Sequence, residues 1–252
     1  VAWGGPRLDH GRRRELGQSF QDGGRHYQQV RPGYPADSAR WLVPQGARDA
    51  LDVGAGTGKF TELLLDLGLS VMAVDPSADM LGQLAAHYPA ATAVLGTAEA
   101  TGLPDAAFDV VTVAQAWHWC DALRASTELA RVLRPHGTLG LVWNQLDTSV
   151  PWVHRLSRIM HAGDVYKPGH RPLIGPEFEA LEDHVTHWQD SVTTADLMEL
   201  TKSRSYYLRA GEATRAKVLA NLDWYLHDHL GHGPDEELAL PYLTLAWRAA
   251  RA

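Results

Sequence analysis

The 252-residue chain has a single cysteine, Cys120, so an internal disulfide and a four-cysteine zinc site are both excluded. A reducing cytoplasm is the expected setting. Long apolar runs are missing as well. No stretch has the length of a membrane span and residues 1–20 lack the apolar core of a signal peptide, so no membrane partner is expected. Basic charge is scarce too, with a formal net charge of -7. The one basic cluster, Arg12, Arg13 and Arg14, falls in a Gly-rich leader over residues 1–25 that reads as flexible and solvated, which argues against a nucleic-acid partner. Metal-ligand spacing is absent. His227, His229 and His232, and His118 near Cys120, read as solvated histidines, and no metal is expected.

What is present is ordinary for a globular protein: 45% hydrophobic and 21% charged residues, with enough chain to bury a sizeable core. From Leu51 onward, short apolar runs alternate with helical patterns, which predicts an α/β domain with a parallel sheet and crossover helices. Strands are expected at 50–53, 70–74, 93–95, 109–114 and 138–143, and helices at 59–67, 78–88 and 122–133. Gly68 supplies a helix stop, Ser77 an N-cap, and Pro135-His136-Gly137 a turn into the fifth strand. Past Asn144 the pattern loosens. Helices are expected at 152–160 and 213–230, a loop at 165–175, a strand at 185–192, and an edge strand or hairpin partner at 238–247. Within 213–230, Val218, Leu219, Leu222, Tyr225 and Leu226 recur at the spacing of one buried helix face. Residues 26–252 thus read as one domain in which 146–235 covers the substrate.

The sharpest local feature is Leu51-Asp52-Val53-Gly54-Ala55-Gly56-Thr57-Gly58-Lys59, between a predicted strand and a predicted helix. Glycines there allow tight backbone angles and close approach of a ligand to the main chain. Two phosphate-binding readings fail on single residues. The dinucleotide fingerprint needs Gly or Ala where Lys59 stands; the P-loop needs Gly at Val53 and Ser or Thr at Phe60.

An acid followed by Gly-x-Gly-x-Gly after the first strand resembles motif I of class I S-adenosylmethionine (SAM)-dependent methyltransferases. The resemblance continues in order through Asp75, Gly96-Thr97-Ala98-Glu99, Leu103-Pro104, Phe108-Asp109 and Leu133-Arg134-Pro135-His136-Gly137, covering residues 50–145. It implies a Rossmann-like sheet with flanking helices and a C-terminal helical cover, and SAM as cofactor. In that family the loop backbone packs against the amino-acid and ribose portions of SAM. Asp75 would accept both ribose hydroxyls. Thr97 stands where many members carry Asp, so the adenine contact passes to Glu99.

Two further segments narrow the resemblance. Tyr27-Gln28-Gln29-Val30-Arg31-Pro32-Gly33-Tyr34-Pro35 is similar to a segment of the small-molecule, trans-aconitate methyltransferase-like group, where it folds over the cofactor with Arg and Tyr near the SAM carboxylate or the acceptor. Gln115-Ala116-Trp117-His118-Trp119 follows strand four at the edge where open α/β sheets bind ligands, and the same group often has His-Trp there. The implied cofactor residues are Tyr27, Arg31, Asp52, Gly54, Ala55, Gly56, Asp75, Pro76, Met80, Ala98, Glu99 and Gln115. Tyr34 and Trp119 are expected at the acceptor, and His118 is the candidate base.

The activity this implies is methyl transfer to a small-molecule acceptor, at a carboxylate or hydroxyl. The Asn/Asp-Pro-Pro-Tyr/Phe motif of many enzymes that methylate amino groups of nucleic-acid bases or glutamine is absent. A nicotinamide oxidoreductase on the same sheet is the competing class, opposed by Lys59 and by the lack of Tyr-x-x-x-Lys. A SAM-binding protein without turnover is the third.

Overall fold

The computed structural model describes residues 30–162, 166–167 and 169–252. The expected leader and Tyr27 lie outside the described residues. In chain order the elements are α1 Ala36–Leu42, β1 Asp49–Val53, α2 Lys59–Asp66, β2 Ser70–Asp75, α3 Ala78–His87, β3 Thr92–Leu95, β4 Phe108–Ala114, α4 Ala122–Val132 and β5 Leu133–Leu146. There follow α5 Pro151–Ile159, β6 Phe178–Thr193, α6 Thr194–Lys202, α7 Ser205–Arg209, α8 Glu212–Asp223 and β7 Glu237–Arg251. The seven strands form one sheet in the order β3-β2-β1-β4-β5-β7-β6. Neighbours from β3 to β5 pair in parallel, while β7 runs antiparallel to both β5 and β6.

Local chemistry accounts for the first half. Val110, Val111 and Val113 of β4 are all fully buried, because β-branched residues on both faces suit a strand covered on both sides. One apolar layer joins β1, β4 and β5 to α4, and the other joins the opposite face to α1, α2 and α3. Gly68 takes φ +79 just past α2 and its N–H bonds to Leu65 O, a left-handed stop that a side chain would strain. Ser77 caps α3, its hydroxyl accepting from Met80 N at 3.3 Å. At the amino edge, Arg134 bridges Asp109 at 2.6 Å and Asp49 at 2.9 Å, so this motif residue clamps the scaffold on the side away from the loops.

Three expectations are corrected. The turn foreseen at 135–137 lies inside β5, which starts at Leu133; His136 has φ +63, and the pairing with β4 shifts between Phe108 and Val110. A local kink thus replaces a loop. Residues 238–247 are neither edge strand nor hairpin partner, since β7 is paired along both sides and β6 forms the edge. Alternating burial is the same for an antiparallel edge strand and an interior one, so periodicity does not separate them. Finally, 146–235 includes β6, so part of the expected cover is sheet. The helix expected at 213–230 is α8 followed by a π-helical stretch, Trp224–His229, with Val218 buried and Leu222, Tyr225 and Leu226 in the core shared with α5 and α6.

Candidate active site

The strand order reverses between β1 and β4, and the loops at the carboxyl ends of those strands meet there. The amides of Gly54 and Ala55 both donate to Val74 O, at 2.8 and 3.1 Å. Gly54 has φ +67, and a Cβ on it would lie 2.5 Å from the Ala116 Cβ, so the loop after β1 passes directly against the loop after β4. Gly56, at φ +56, has no atom within 4 Å of such a position. Its outer side is open to a ligand.

Asp75 ties this loop to β2. Its Oδ2 accepts from Gly56 N at 2.9 Å and its Oδ1 from Ser77 N at 2.8 Å. Burial pushes its pKa up, and the two amide bonds oppose the shift. Each carboxylate oxygen retains a second acceptor site, as two ribose hydroxyls require. A phosphate is disfavoured, because the Gly56 amide is already given to a carboxylate. Pro76 follows on the surface, and Met80 is buried in the first turn of α3.

Asp52 lies under the loop. Fully buried, its carboxylate accepts from Thr61 Oγ1 at 2.7 Å and Thr112 Oγ1 at 3.0 Å, joining β1 to α2 and β4. Burial pushes its pKa up to about 6, against the lowering effect of both hydroxyls. Ala98 is buried, and Glu99 accepts from the amide of Asp121, the N-cap of α4, at 2.8 Å. That holds the expected adenine loop at the start of α4.

Gln115 carries two marks of a functional position. It has φ +55, rare for a residue with a side chain, and its buried Oε1 has no hydrogen-bond partner among the described residues while its Nε2 donates to Asn144 O at 2.7 Å. Each feature costs on the order of 1–3 kcal/mol. An acceptor atom left so invites a donor from a ligand, such as an ammonium group. Together with the open glycine backbone and Asp75, it fits the polar end and ribose of SAM.

After Gln115 the chain makes a short 3-10 turn, Trp117–Trp119. The His118 ring lies 4.1 Å from that of Trp119 and 4.6 Å, edge-on, from Trp143 of β5. Tyr166 packs on Trp143 at 5.0 Å and stacks on His170 at 4.0 Å. Trp117 Nε1 donates to Leu173 O, closing the 169–175 loop over this face.

The segment before α1 crosses the other face. Tyr34 sets its ring edge-on to Phe60 of α2 at 5.2 Å, and Arg31 Nη2 donates to Ser203 O at 2.9 Å. Asn144, not anticipated as functional, holds this segment: its Nδ2 donates to Gly33 O at 2.7 Å, and its Oδ1 accepts from Thr244 of β7 at 2.5 Å. The polar pair Asn144-Gln145 directly after the apolar run of β5 was the signal available for it.

Comparison with known proteins agrees with this geometry. Residues 51–141 match the model of a methyltransferase domain. An uncharacterized methyltransferase of Mycobacterium tuberculosis is 42% identical over 241 residues, 95% of this chain and 98% of that one. A solved structure of a candidate type II methyltransferase from Anaeromyxobacter dehalogenans shares 28% identity at a TM-score of 0.65, covering 88% of this chain and 97% of its own. The malonyl-[acyl-carrier protein] O-methyltransferase of Methylococcus capsulatus is 39% identical over 132 residues, 50% of this chain and 42% of its own. With the glycine loop, Asp75 and the 3-2-1-4-5-7-6 sheet in place, the chain belongs to the class I SAM-dependent methyltransferases.

Proposed function

We propose that this methyltransferase acts on a small molecule and places the methyl group on a carboxylate or hydroxyl oxygen. The observation that carries the reading is the aromatic enclosure of His118 by Trp119 and Trp143, with Tyr166 behind it, beside the carboxyl end of β4. Such walls suit a small acceptor and exclude water. The relative named as a malonyl-[acyl-carrier protein] O-methyltransferase supports oxygen as the acceptor atom.

When bound, SAM supplies an activated methyl group for in-line displacement. The chain does the rest by holding and shielding. Gly54, Ala55, Gly56 and Asp75 would hold the ribose side, Gln115 would accept from the amino end, and Glu99 would reach the adenine. The faces of Trp119 and Trp143 favour a positive sulfonium. His118 takes the proton of a hydroxyl acceptor, while a carboxylate needs no base. Residues 31–34, pinned by Ser203 and Asn144, act as a lid; hydrogen exchange of this segment should slow when S-adenosylhomocysteine is added, and equal exchange would refute the lid. We place the reaction in the cytoplasm, given the single cysteine; among the described residues no helix is long and apolar enough to cross a membrane.

The test is incubation with methyl-labelled SAM and a panel of small acids, phenols and amines. Label in an acid or phenol product, released as methanol by alkali in the ester case, supports the proposal, and label found only in amine products overturns oxygen as the acceptor atom. Label confined to protein or nucleic acid overturns it.

A further inference from the structure

One buried polar group at the same edge plays no part in the chemistry above. Tyr242 of β7 pairs with Leu146, the last residue of β5, and with Trp188 of β6. Its ring stacks on Trp188 at 5.1 Å and is 3% exposed, and its hydroxyl makes no hydrogen bond among the described residues. Phenylalanine would fill that space without stranding a hydroxyl. Tyr225, by contrast, spends its hydroxyl on Trp152 O at 2.9 Å. A phenol kept buried and unused at the ligand edge of a sheet points to a ligand that uses it.

The surroundings say what kind. Arg31 is held on Ser203 O at the end of α6, and the next residue, Arg204, donates from Nη1 to Ala162 O at 2.8 Å, just past α5. Both act electrostatically on the Tyr242 hydroxyl, as does the carboxylate of Asp190 from β6. Asp190 interacts in turn with Lys59 at the start of α2. Arg31 and Arg204 therefore act on the hydroxyl, while Lys59 and Asp196 flank Asp190 beside it, in a chain that as a whole carries -7. Burial, the first cause, pushes the phenol pKa up to about 12, so the hydroxyl remains a proton donor across the working range. A planar carboxylate matches a guanidinium fork, and an O–H donor completes its hydrogen bonding.

We propose that the Tyr242 hydroxyl, with Arg204 and Arg31, forms a receptor for a carboxylate of the acceptor. This rests on the small-molecule reading above and adds the chemical class that these side chains select. Specificity then comes from β7 and the α6–α7 junction, with Arg31, expected at the cofactor from the sequence, serving the acceptor instead.

The experiment uses protein saturated with S-adenosylhomocysteine, so that the cofactor's own carboxylate is already in place. Linear dicarboxylates from malonate to adipate are titrated against sodium chloride of equal ionic strength, with melting temperature as the readout. At least one dicarboxylate should stabilise beyond the chloride control, and Tyr242→Phe and Arg204→Gln should each raise its half-saturating concentration about ten-fold or more, with Arg204→Lys recovering part of the loss. Without ligand, Tyr242→Phe should melt above the parent protein, because it removes a stranded hydroxyl. The proposal is overturned if no dicarboxylate exceeds chloride, if the effect survives Tyr242→Phe, or if unliganded Tyr242→Phe melts lower. The cofactor reading fails separately, through the absence of any shift on adding S-adenosylhomocysteine to the parent protein.

Discussion

On the β1, β2 and β4 side of the sheet, main-chain amides organise the ligand edge: Gly54 and Ala55 on Val74 O, and Gly56 and Ser77 on Asp75. On the β5, β7 and β6 side, the same edge is built from side chains brought from far apart, such as Arg31 on Ser203, Trp188 on Thr244 and Trp143 beside His118. The difference teaches where each half of the chemistry is written. A backbone cradle tolerates little change and suits a fixed cofactor, whereas a side-chain enclosure can be rebuilt for a new acceptor without touching the cradle.

The sharpest way to break this comparison is Asp75→Ala. It removes two charge-assisted acceptors, each worth about 1.5–3 kcal/mol, and releases the Gly56 amide, so SAM affinity measured by calorimetry should fall at least about 100-fold. Unchanged affinity would move the ribose site elsewhere. Next comes His118→Ala, on the side-chain half. Turnover should drop by roughly 10²-fold with SAM affinity intact, and a loss confined to the acceptor KM would make His118 an orienting group.

Asp52 tests the scaffold beneath the cradle by pH. Its folded pKa of about 6 lies above the ordinary carboxylate value of 3.8, so the folded state binds the extra proton and stability declines as pH rises from about 4 to 6. Two pKa steps of about 1.4 kcal/mol each bound the loss at roughly 3 kcal/mol. Asp52→Asn should flatten that decline and raise the melting temperature at pH 7; a mutant with the parent's pH profile would show that another group causes it. The smallest effect is expected in the cover. Tyr225→Phe loses one hydrogen bond to Trp152 O, about 1 kcal/mol in denaturant unfolding, with SAM affinity unaltered. A change in SAM affinity there would mean that the two halves are coupled.

The same contrast explains how much could be read beforehand. The glycine loop, the Ser77 cap, the Gly68 stop and Asp75 depend on neighbours within about twenty residues, so residue type and spacing carried them. Strands β1 to β4 followed from apolar runs. The interior place of β7 did not, because its alternation fits an edge equally well, and the kink at His136 was hidden because a Pro-x-Gly run reads as a loop. Asp52 was placed with the cofactor residues, and only its bonds to Thr61 and Thr112 show it underneath. Asn144, Ser203 and Tyr242 matter through partners about 40 to about 210 residues distant, and no local pattern encodes those.

The position of β7 has a consequence for how the chain is made. Among the described residues β6 pairs with no strand except β7, and β7 is synthesised later, after α6, α7 and α8 have emerged. On the ribosome a 16-residue strand therefore stands with both edges bare until its partner arrives, the kind of nascent segment that recruits strangers. Glu179, Glu182, Asp183 and Asp190 are distributed along it. Like charges at those intervals keep neighbouring nascent chains from zipping together during the delay, so the acidity of β6 serves production of the protein as much as the finished molecule.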